Sequence, residues 1–246
     1  MEAISIIEVK ELASSNDHMK KLVVEEGLPE GTVVLALHQK KGRGMGANSW
    51  ESDKGKNLTF SLLLRPKFLQ AQDMFLISKT ISLGIVDYLN ELDRNFSIKW
   101  PNDIYYKDKK ICGILIENQL LGNKLNYSII GIGININQEV FKSDAPNPIS
   151  LLNIFNKKFN TTSCLNGVLK QISIWYGILS DGWANKINDA YFMHLYRNKG
   201  FHDYRSNGQV FQAQIKAVEN DGKLMLKTPE SEIKSFYFKE VEFIMD

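Results

Sequence analysis

Apolar and polar residues alternate in different rhythms along this chain, and each rhythm predicts a kind of element. IIEV at 6–9 reads as a short strand, after which Ser14-Ser15-Asn16 looks like a helix start and Gly27 like its stop. TVVLALHQ at 32–39 is a run of β-branched and apolar residues, and NLTFSLLLRP at 57–66 is another that Pro66 ends; both predict strands. Between 71 and 91, Phe75, Ile77, Ile81, Ile85, Val86 and Leu89 lie close to a helical stripe. FSIKWPND at 96–103 predicts a short strand broken at Pro101. ICGILIEN (111–118) and LNYSIIGIGININ (125–137) predict two strands joined by a hairpin turn at Gly122-Asn123. Leu165, Val168, Leu169, Ile172, Trp175, Tyr176 and Leu179 mark an amphipathic helix over 163–180.

The texture changes after about Arg197. Asn207-Gly208 and Asp221-Gly222 read as hairpin turns around QVFQAQIKAV and KLMLKT, and SFYFKEVEFI adds a third or fourth strand. A tail of roughly 50 residues is small to be very stable alone. The first 195 or so residues thus mix strands and helices, and the tail reads as a small β-barrel or sheet.

Composition mainly excludes. With 246 residues, 43% hydrophobic and 24% charged, the chain has the profile of a globular protein. A formal net charge of +2 argues against a broad nucleic-acid or membrane surface. The start, MEAISIIEVKEL, is acidic where a signal peptide needs a basic start and an apolar core, and no apolar run approaches a membrane span. Cys112 and Cys164 form no metal or disulfide spacing, which suits a reducing cytosol, so a cytoplasmic location is expected. The histidines at 18, 38, 194 and 202 show no metal-ligand spacing, and no G-x-S-x-G elbow is present.

Three constellations carry candidate chemistry. The first is GRGMGANSW at 42–50. Gly42, Gly44 and Ala47 fit a variant of the dinucleotide fingerprint, but no helical period follows, so a Rossmann site is disfavoured. Lys40, Lys41, Arg43, Lys54 and Lys56 face only Glu51 and Asp53. A basic, glycine-rich loop can wrap an anion with backbone N–H groups and an arginine fork; a solvated hairpin loop is the plainer reading. The second is KWPNDIYYKDKKICGILIE at 99–117, where Lys99, Asn102 and Asp103 surround a proline between strands and Lys109-Lys110 open the next strand. Strand ends are rigid and open, which suits chemistry, although a KDKK turn is common. In the third, GIGININ at 131–137, glycines interrupt an isoleucine strand, marking either a close approach or a bulge, and Asn135 and Asn137 point to one face.

In this order the three motifs resemble the biotin protein ligases, and the match runs over nearly the whole chain. Ser-Ser-Asn stands at 14–16 where the family has Ser-Thr-Asn, Gln39 precedes a GRG loop ending in Trp50, and KWPND leads into Lys110-Ile-Cys-Gly-Ile-Leu-Ile-Glu and GIGININ. The resemblance implies an α+β fold: a mixed sheet with helices over 1–196, forming a catalytic domain related to class II aminoacyl-tRNA synthetases, followed by a small SH3-like barrel over 197–246. It implies a short form, because the first strand begins at residue 6 and leaves no room for the winged-helix DNA-binding domain of many bacterial relatives; no DNA partner is expected.

The family reaction is also implied: biotin and ATP give biotinyl-5′-AMP, and a lysine of a carboxylase's biotin carboxyl carrier domain then takes the biotinyl group. By resemblance, Arg43 and Lys110 contact the carboxylate and α-phosphate as the catalytic cations. Ser14, Ser15, Asn16 and Gln39 hydrogen-bond biotin, with Gly42, Gly44 and Met45 of the loop beside it. Gly113 and Gly131 allow close approach. Trp50, Lys99, Asn102 and Asn135 meet ATP, and Asp103 binds Mg²⁺ or orients its waters. Relatives occur as monomers and as dimers that pair sheet edges, which leaves a homodimer open. One departure stands out: the family loop continues GRG-R-x-G-R, whereas this chain has Met45, Gly46, Ala47 and Asn48. Lys40, Lys41, Lys54 or Lys56 are the nearby cations that could substitute. A lipoate protein ligase of the same fold and a non-catalytic biotin-binding module are the alternative readings.

Overall fold

The computed structural model describes residues 4–46, 48–142 and 147–245. Ala47 of the fingerprint variant lies outside the described residues. The first sheet has seven strands: β1 (Ser5–Val9), β2 (Thr32–Ala36), β3 (Leu58–Leu64), β4 (Phe96–Lys99), β5 (Asp103–Tyr106), β6 (Lys109–Leu121) and β7 (Lys124–Ile134). Their order is β1-β2-β3-β7-β6-β5-β4. The β1–β2 pair is parallel and every other pair antiparallel, so the sheet is mixed as expected.

Five helices accompany it: α1 (Ser15–Glu26), α2 (Phe75–Asn90), α3 (Leu151–Phe155), α4 (Thr161–Ser180) and α5 (Ala184–His194). Gly27 ends α1 in the left-handed region at φ 65°, a conformation glycine adopts without steric cost. Side-chain alternation divides the sheet into two faces. On one, Phe60, Leu62, Ile130, Ile132, Ile114, Cys112, Ile104 and Ile98 join a single buried core with Ile81 and Ile85 of α2 and Leu165 and Ile172 of α4. A Cβ on Gly84 would lie 2.7 Å from Ile172 Cα, so α2 and α4 cross at backbone contact. On the other face, Met19 and Val23 of α1 cover Val34, Leu63 and Ile129.

The remaining chain forms β8 (His202–Ser206), β9 (Gln209–Val218), β10 (Leu224–Lys227), β11 (Ile233–Phe236) and β12 (Glu242–Phe243). They make an antiparallel sheet in the order β11-β10-β9-β8-β12, whose end strands are not paired with each other. This small sheet docks on the first part of the chain through specific polar contacts. Trp100 Nε1 donates to the Gly222 carbonyl (2.9 Å), and Phe75 N donates to the Asn220 carbonyl (3.1 Å). Lys79 of α2 is buried, and among the described residues no carboxylate pairs with it; its ammonium donates to Asn188 Oδ1 (2.7 Å) and the Val218 carbonyl (2.5 Å). Burial lowers its pKa to about 8. Among the described residues, no helix is long and apolar enough to cross a membrane.

Several expectations need correction. The strand of 32–39 stops at Ala36. FSIKWPND is not one broken strand but a hairpin, with Lys99 and Asp103 paired across the Trp100-Pro101-Asn102 turn. SFYFKEVEFI is two strand pieces, β11 and β12, separated by a turn. Helices α3 and α5 were not foreseen, because α3 is five residues long and α5 mixes polar residues into a weak stripe.

Candidate active site

A register row builds the floor of the site. Thr59 on β3 pairs with Gly133 on β7, Gly133 with Gly113 on β6, Gly113 with Asp103 on β5, and Asp103 with Lys99 on β4. All five side-chain positions therefore face away from the isoleucine core. The neighbouring row is Ser61, Gly131 and Leu115. Lys110 joins this face only because of a bulge. Residues three apart on a regular strand face opposite ways, but Tyr105 pairs with Lys110 while Ile104 pairs with Cys112, leaving Ile111 unpaired between them. Lys110 thus lies beside Asp103, with Nζ 2.7 Å from Oδ1. Its backbone is fixed by Asn147 and Ile149: Lys110 N donates to the Asn147 carbonyl, and Ile149 N to the Lys110 carbonyl, each at 2.9 Å. Lys109 is exposed.

Glycines at 113, 131 and 133 make room for named side chains. A Cβ on Gly131 would come within 2.5 Å of Asn16 Oδ1, one on Gly113 within 3.0 Å of Trp50 Cζ3, and one on Gly133 would overlap the Trp50 indole. Two polar elements thereby reach the sheet floor. At the start of α1, Ser15 N donates to Gln39 Oε1 (2.6 Å), and the Ser61 hydroxyl lies 2.7 Å from Ser15 Oγ and 2.6 Å from Asn16 Oδ1. Asn16 Nδ2 donates to Glu117 Oε2 (2.8 Å).

The described residues of the glycine loop form a hairpin. Arg43 bridges to Ser49; Trp50 N donates to the Gly42 carbonyl (2.9 Å) and Gly44 N to the Asn48 carbonyl (2.7 Å). Arg43 Nη2 lies 2.7 Å from Glu117 Oε2 and 3.0 Å from Asp17 Oδ1, so Glu117 ties the hairpin to Asn16. The Trp50 ring lies 5.9 Å from Lys110 Nζ, and its buried indole N–H has no hydrogen-bond partner among the described residues.

These pieces surround one cavity of about 1130 Å³. Of the site residues implied by the family resemblance, all line it except Gly42, whose carbonyl is used inside the hairpin: Ser14, Ser15, Asn16, Gln39, Arg43, Gly44, Met45, Trp50, Lys99, Asn102, Asp103, Lys110, Gly113, Gly131 and Asn135. Lys99 Nζ donates to the Tyr105 hydroxyl (3.2 Å) and lies over the Tyr105 and Phe243 rings at 4.9 and 5.5 Å. Burial lowers its pKa, against the opposing pull of Asp103. Asn102 Nδ2 donates to the Ile114 carbonyl (2.5 Å), bracing the hairpin turn on β6. Because β7 ends at Ile134, Asn135 and Asn137 do not share a strand face: Asn137 holds the Phe159 backbone through both side-chain atoms, while Asn135 Nδ2 donates to the Ile149 carbonyl (3.1 Å). Asn135 Oδ1 is buried and has no partner among the described residues. None of Lys40, Lys41, Lys54 and Lys56 lines the cavity.

Sequence reasoning missed part of the wall. Glu117 and Ser61 organise it, yet nothing local distinguishes them from other strand residues. Phe238, Lys239, Val241, Glu242, Phe243 and Met245 reach the cavity from the C-terminal sheet, far away along the chain. As for a metal, the described residues hold no group of three or more His, Cys, Asp or Glu placed to bind one. Asp103 offers a single carboxylate, which suits a Mg²⁺ ion carried mainly by phosphates and water.

Relatives share this architecture. Residues 9–135 match the model of the Biotin/lipoate A/B protein ligase family. The chain is 28% identical over 241 residues to the bifunctional ligase/repressor BirA of Bacillus subtilis (strain 168), covering 94% of this chain and 72% of that protein. It is 36% identical over 112 residues to the biotin–protein ligase of Homo sapiens, covering 43% of this chain and 15% of that one. The solved biotin protein ligase from Aquifex aeolicus in complex with biotin and ATP superimposes with a TM-score of 0.80 at 26% identity, covering 98% of this chain and 99% of that chain. The chain belongs to the Biotin/lipoate A/B protein ligase family, and within it to the biotin protein ligases.

Proposed function

We propose that this enzyme activates biotin with ATP as biotinyl-5′-AMP and transfers the biotinyl group to a lysine of a biotin carboxyl carrier domain. The observation that carries this reading is a single cavity with two chemically different ends. At one end Ser15, Asn16 and Gln39 offer neutral hydrogen-bonding groups over Gly131. At the other, Lys99 and Lys110 flank Asp103, and Arg43 lines the same cavity, tied to the Asn16 end through Glu117. A neutral ring system with an anionic tail, placed beside a polyphosphate, matches that division.

In the first step a biotin carboxylate oxygen attacks the α-phosphorus of ATP, and the bond to the β-phosphate oxygen breaks, releasing pyrophosphate. The carboxylate is already ionised near neutral pH, so the nucleophile needs no general base. The obstacle is repulsion between two anions, and the preorganised ammonium of Lys110 reduces it. Arg43 adds a fork that can hold the adenylate phosphate once its ties to Asp17 and Glu117 are exchanged. Mg²⁺, where it accompanies ATP, adds charge neutralisation at the phosphates; Asp103 is the carboxylate that would hold it. Asn135 Oδ1 and the Trp50 indole N–H, both unpartnered, are the groups proposed to meet the nucleotide. In the second step the carrier lysine's amine attacks the acyl carbon, and AMP leaves.

Residues 1–196 are proposed as the catalytic unit and 197–246 as a small SH3-like unit that completes the cavity wall. The buried free thiols of Cys112 and Cys164 suit a reducing, cytoplasmic setting. Titration calorimetry with biotin and with lipoate, each with and without a non-hydrolysable ATP analogue, tests the substrate. Biotin should bind, and bind more tightly with nucleotide present. Preference for lipoate would favour the lipoate ligase reading, and biotin binding indifferent to nucleotide would favour a non-catalytic module.

A further inference from the structure

The polar end of the cavity is held by a chain of hydrogen bonds whose directions follow from which atoms can donate. One amide atom of Asn16 lies 2.8 Å from Glu117 Oε2 and 3.3 Å from the Leu115 carbonyl oxygen. Glu117 Oε2 also accepts from Arg43 Nη2 (2.7 Å), and a carbonyl oxygen only accepts. That atom of Asn16 is therefore its NH2 group, and the other is Oδ1. Oδ1 lies 2.6 Å from the Ser61 hydroxyl and can only accept, so Ser61 donates its single proton to Asn16. The Ser61 oxygen is also 2.7 Å from Ser15 Oγ. Two contacts this short need two protons, so the second comes from Ser15, which donates to Ser61. Ser15, Ser61 and Asn16 are all buried, which shields the chain from competing water.

The consequence is a fixed polarity at the cavity wall. Ser15 and Gln39 line the cavity, whereas Ser61 and Glu117 do not. The Ser15 hydroxyl proton is committed to Ser61, and its backbone N–H donates to Gln39 Oε1 (2.6 Å), so Ser15 offers the cavity only lone pairs. The same bond orients Gln39: its oxygen is taken, and its NH2 is the group left for a ligand. An acceptor beside a donor matches a ring in which an N–H adjoins a C=O, the pattern of a cyclic urea. A dithiolane ring carries neither.

We propose that Ser61 determines substrate specificity: as the middle link of the chain Ser15–Ser61–Asn16–Glu117, it makes Ser15 an obligate acceptor for a ring N–H of the substrate. Ser61 does not line the cavity, so it is a positioning residue acting through Ser15. This deepens the biotin reading above and rests on it. Lone pairs held against an acceptor on the ligand repel it, so a wall of fixed polarity rejects such an analogue more strongly than one whose hydroxyl can turn.

The test is calorimetry of the full chain with biotin and with its two cyclic carbamate analogues, in which one or the other ring N–H is replaced by an oxygen. Wild type should bind the weaker of the two carbamates about a hundred-fold or more below biotin. Ser61→Ala frees the Ser15 hydroxyl to turn and donate, so that gap should shrink to about ten-fold or less, through recovered carbamate binding. A general loosening of the pocket would lower all three affinities together and leave the gap unchanged, which separates positioning from a purely structural role. Ser15→Ala, which removes the acceptor outright, should close the gap as well and carries the test if Ser61→Ala does not fold. Equal binding of biotin and both carbamates by wild type, or a gap that survives in either variant, would overturn the proposal. A wild type that binds no biotin would overturn the biotin reading itself, and is a different result from biotin bound without preference over the carbamates.

Discussion

The two faces of the seven-stranded sheet are made by the same strands, one residue out of step. On β7, Ile130, Ile132 and Ile134 enter the core, while Gly131 and Gly133 between them form the floor of the cavity. On β5, Ile104 enters the core and Asp103 faces the cavity. One face is covered by α2 and α4; the other is covered by α1 over part of its width and is otherwise left to the hairpin, the C-terminal sheet and ligands. Stability and chemistry are therefore interleaved at single-residue spacing, and substitutions at adjacent positions should separate them cleanly.

The largest expected effect tests the core face. Ile130→Ala leaves a cavity in the core that α2 and α4 cover and should cost about 2–5 kcal/mol in urea unfolding. If the faces are as separate as described, the fraction that remains folded should keep its KM values. On the other face, Lys110→Ala should slow pyrophosphate release roughly 30- to 1,000-fold at saturating biotin, the scale of about 2–4 kcal/mol for one preorganised charge contact, with little change in stability. Its exposed neighbour is the control: a loss in Lys109→Ala as large as that in Lys110→Ala would contradict the bulge at Ile111.

A smaller change sharpens the comparison. Gly131→Ala puts a Cβ into Asn16 Oδ1, which must move out of the polar end of the cavity. Biotin affinity by calorimetry should fall about ten-fold, near the 1.4 kcal/mol of one displaced polar contact. Unaltered affinity would mean that Asn16 takes no part in binding. The last effect is absent at neutral pH and concerns Lys79, beneath the C-terminal sheet. Its folded pKa of about 8 lies below the ordinary 10.5. Below pH 8 both folded and unfolded chains hold the proton, so Lys79 contributes no pH dependence. Between about 8 and 10.5 the unfolded chain holds a proton the folded chain has shed, so stability should rise with pH, by at most about 1.4 kcal/mol per unit. Lys79→Met should abolish that rise; parallel stability curves from pH 7 to 10 would show that the ammonium is better solvated than its burial indicates.

Legibility in the sequence followed the same division. The core face was readable because alternation and helical stripes survive in local windows: β3, β6, β7, α2 and α4 were all expected near their observed bounds. The candidate motifs were readable as motifs, but not their geometry. Pro101 looked like a break in a strand and is the middle of a hairpin turn, since the pairing of Lys99 with Asp103 is a non-local fact. The spacing from Lys110 to Gly113 would put the two on opposite faces, and only the bulge at Ile111 reconciles them. Glu117 was quoted within a motif yet given no role, because its partners Asn16 and Arg43 lie far away along the chain. Phe238, Val241 and Phe243 carried no signal either: they become part of the site only where the C-terminal sheet meets the cavity.

The central claim is that the polar face of this sheet joins biotin to a carrier lysine through an adenylate. Incubation of the full chain with biotin, MgATP and a biotin carboxyl carrier domain, followed by intact-mass spectrometry of the carrier, tests it most directly. The account predicts one added biotinyl group per carrier lysine, dependent on ATP, strongly slowed by Lys110→Ala and preserved in Lys109→Ala. An unmodified carrier under conditions where biotin and ATP both bind, or transfer of lipoyl in preference to biotinyl, would contradict it.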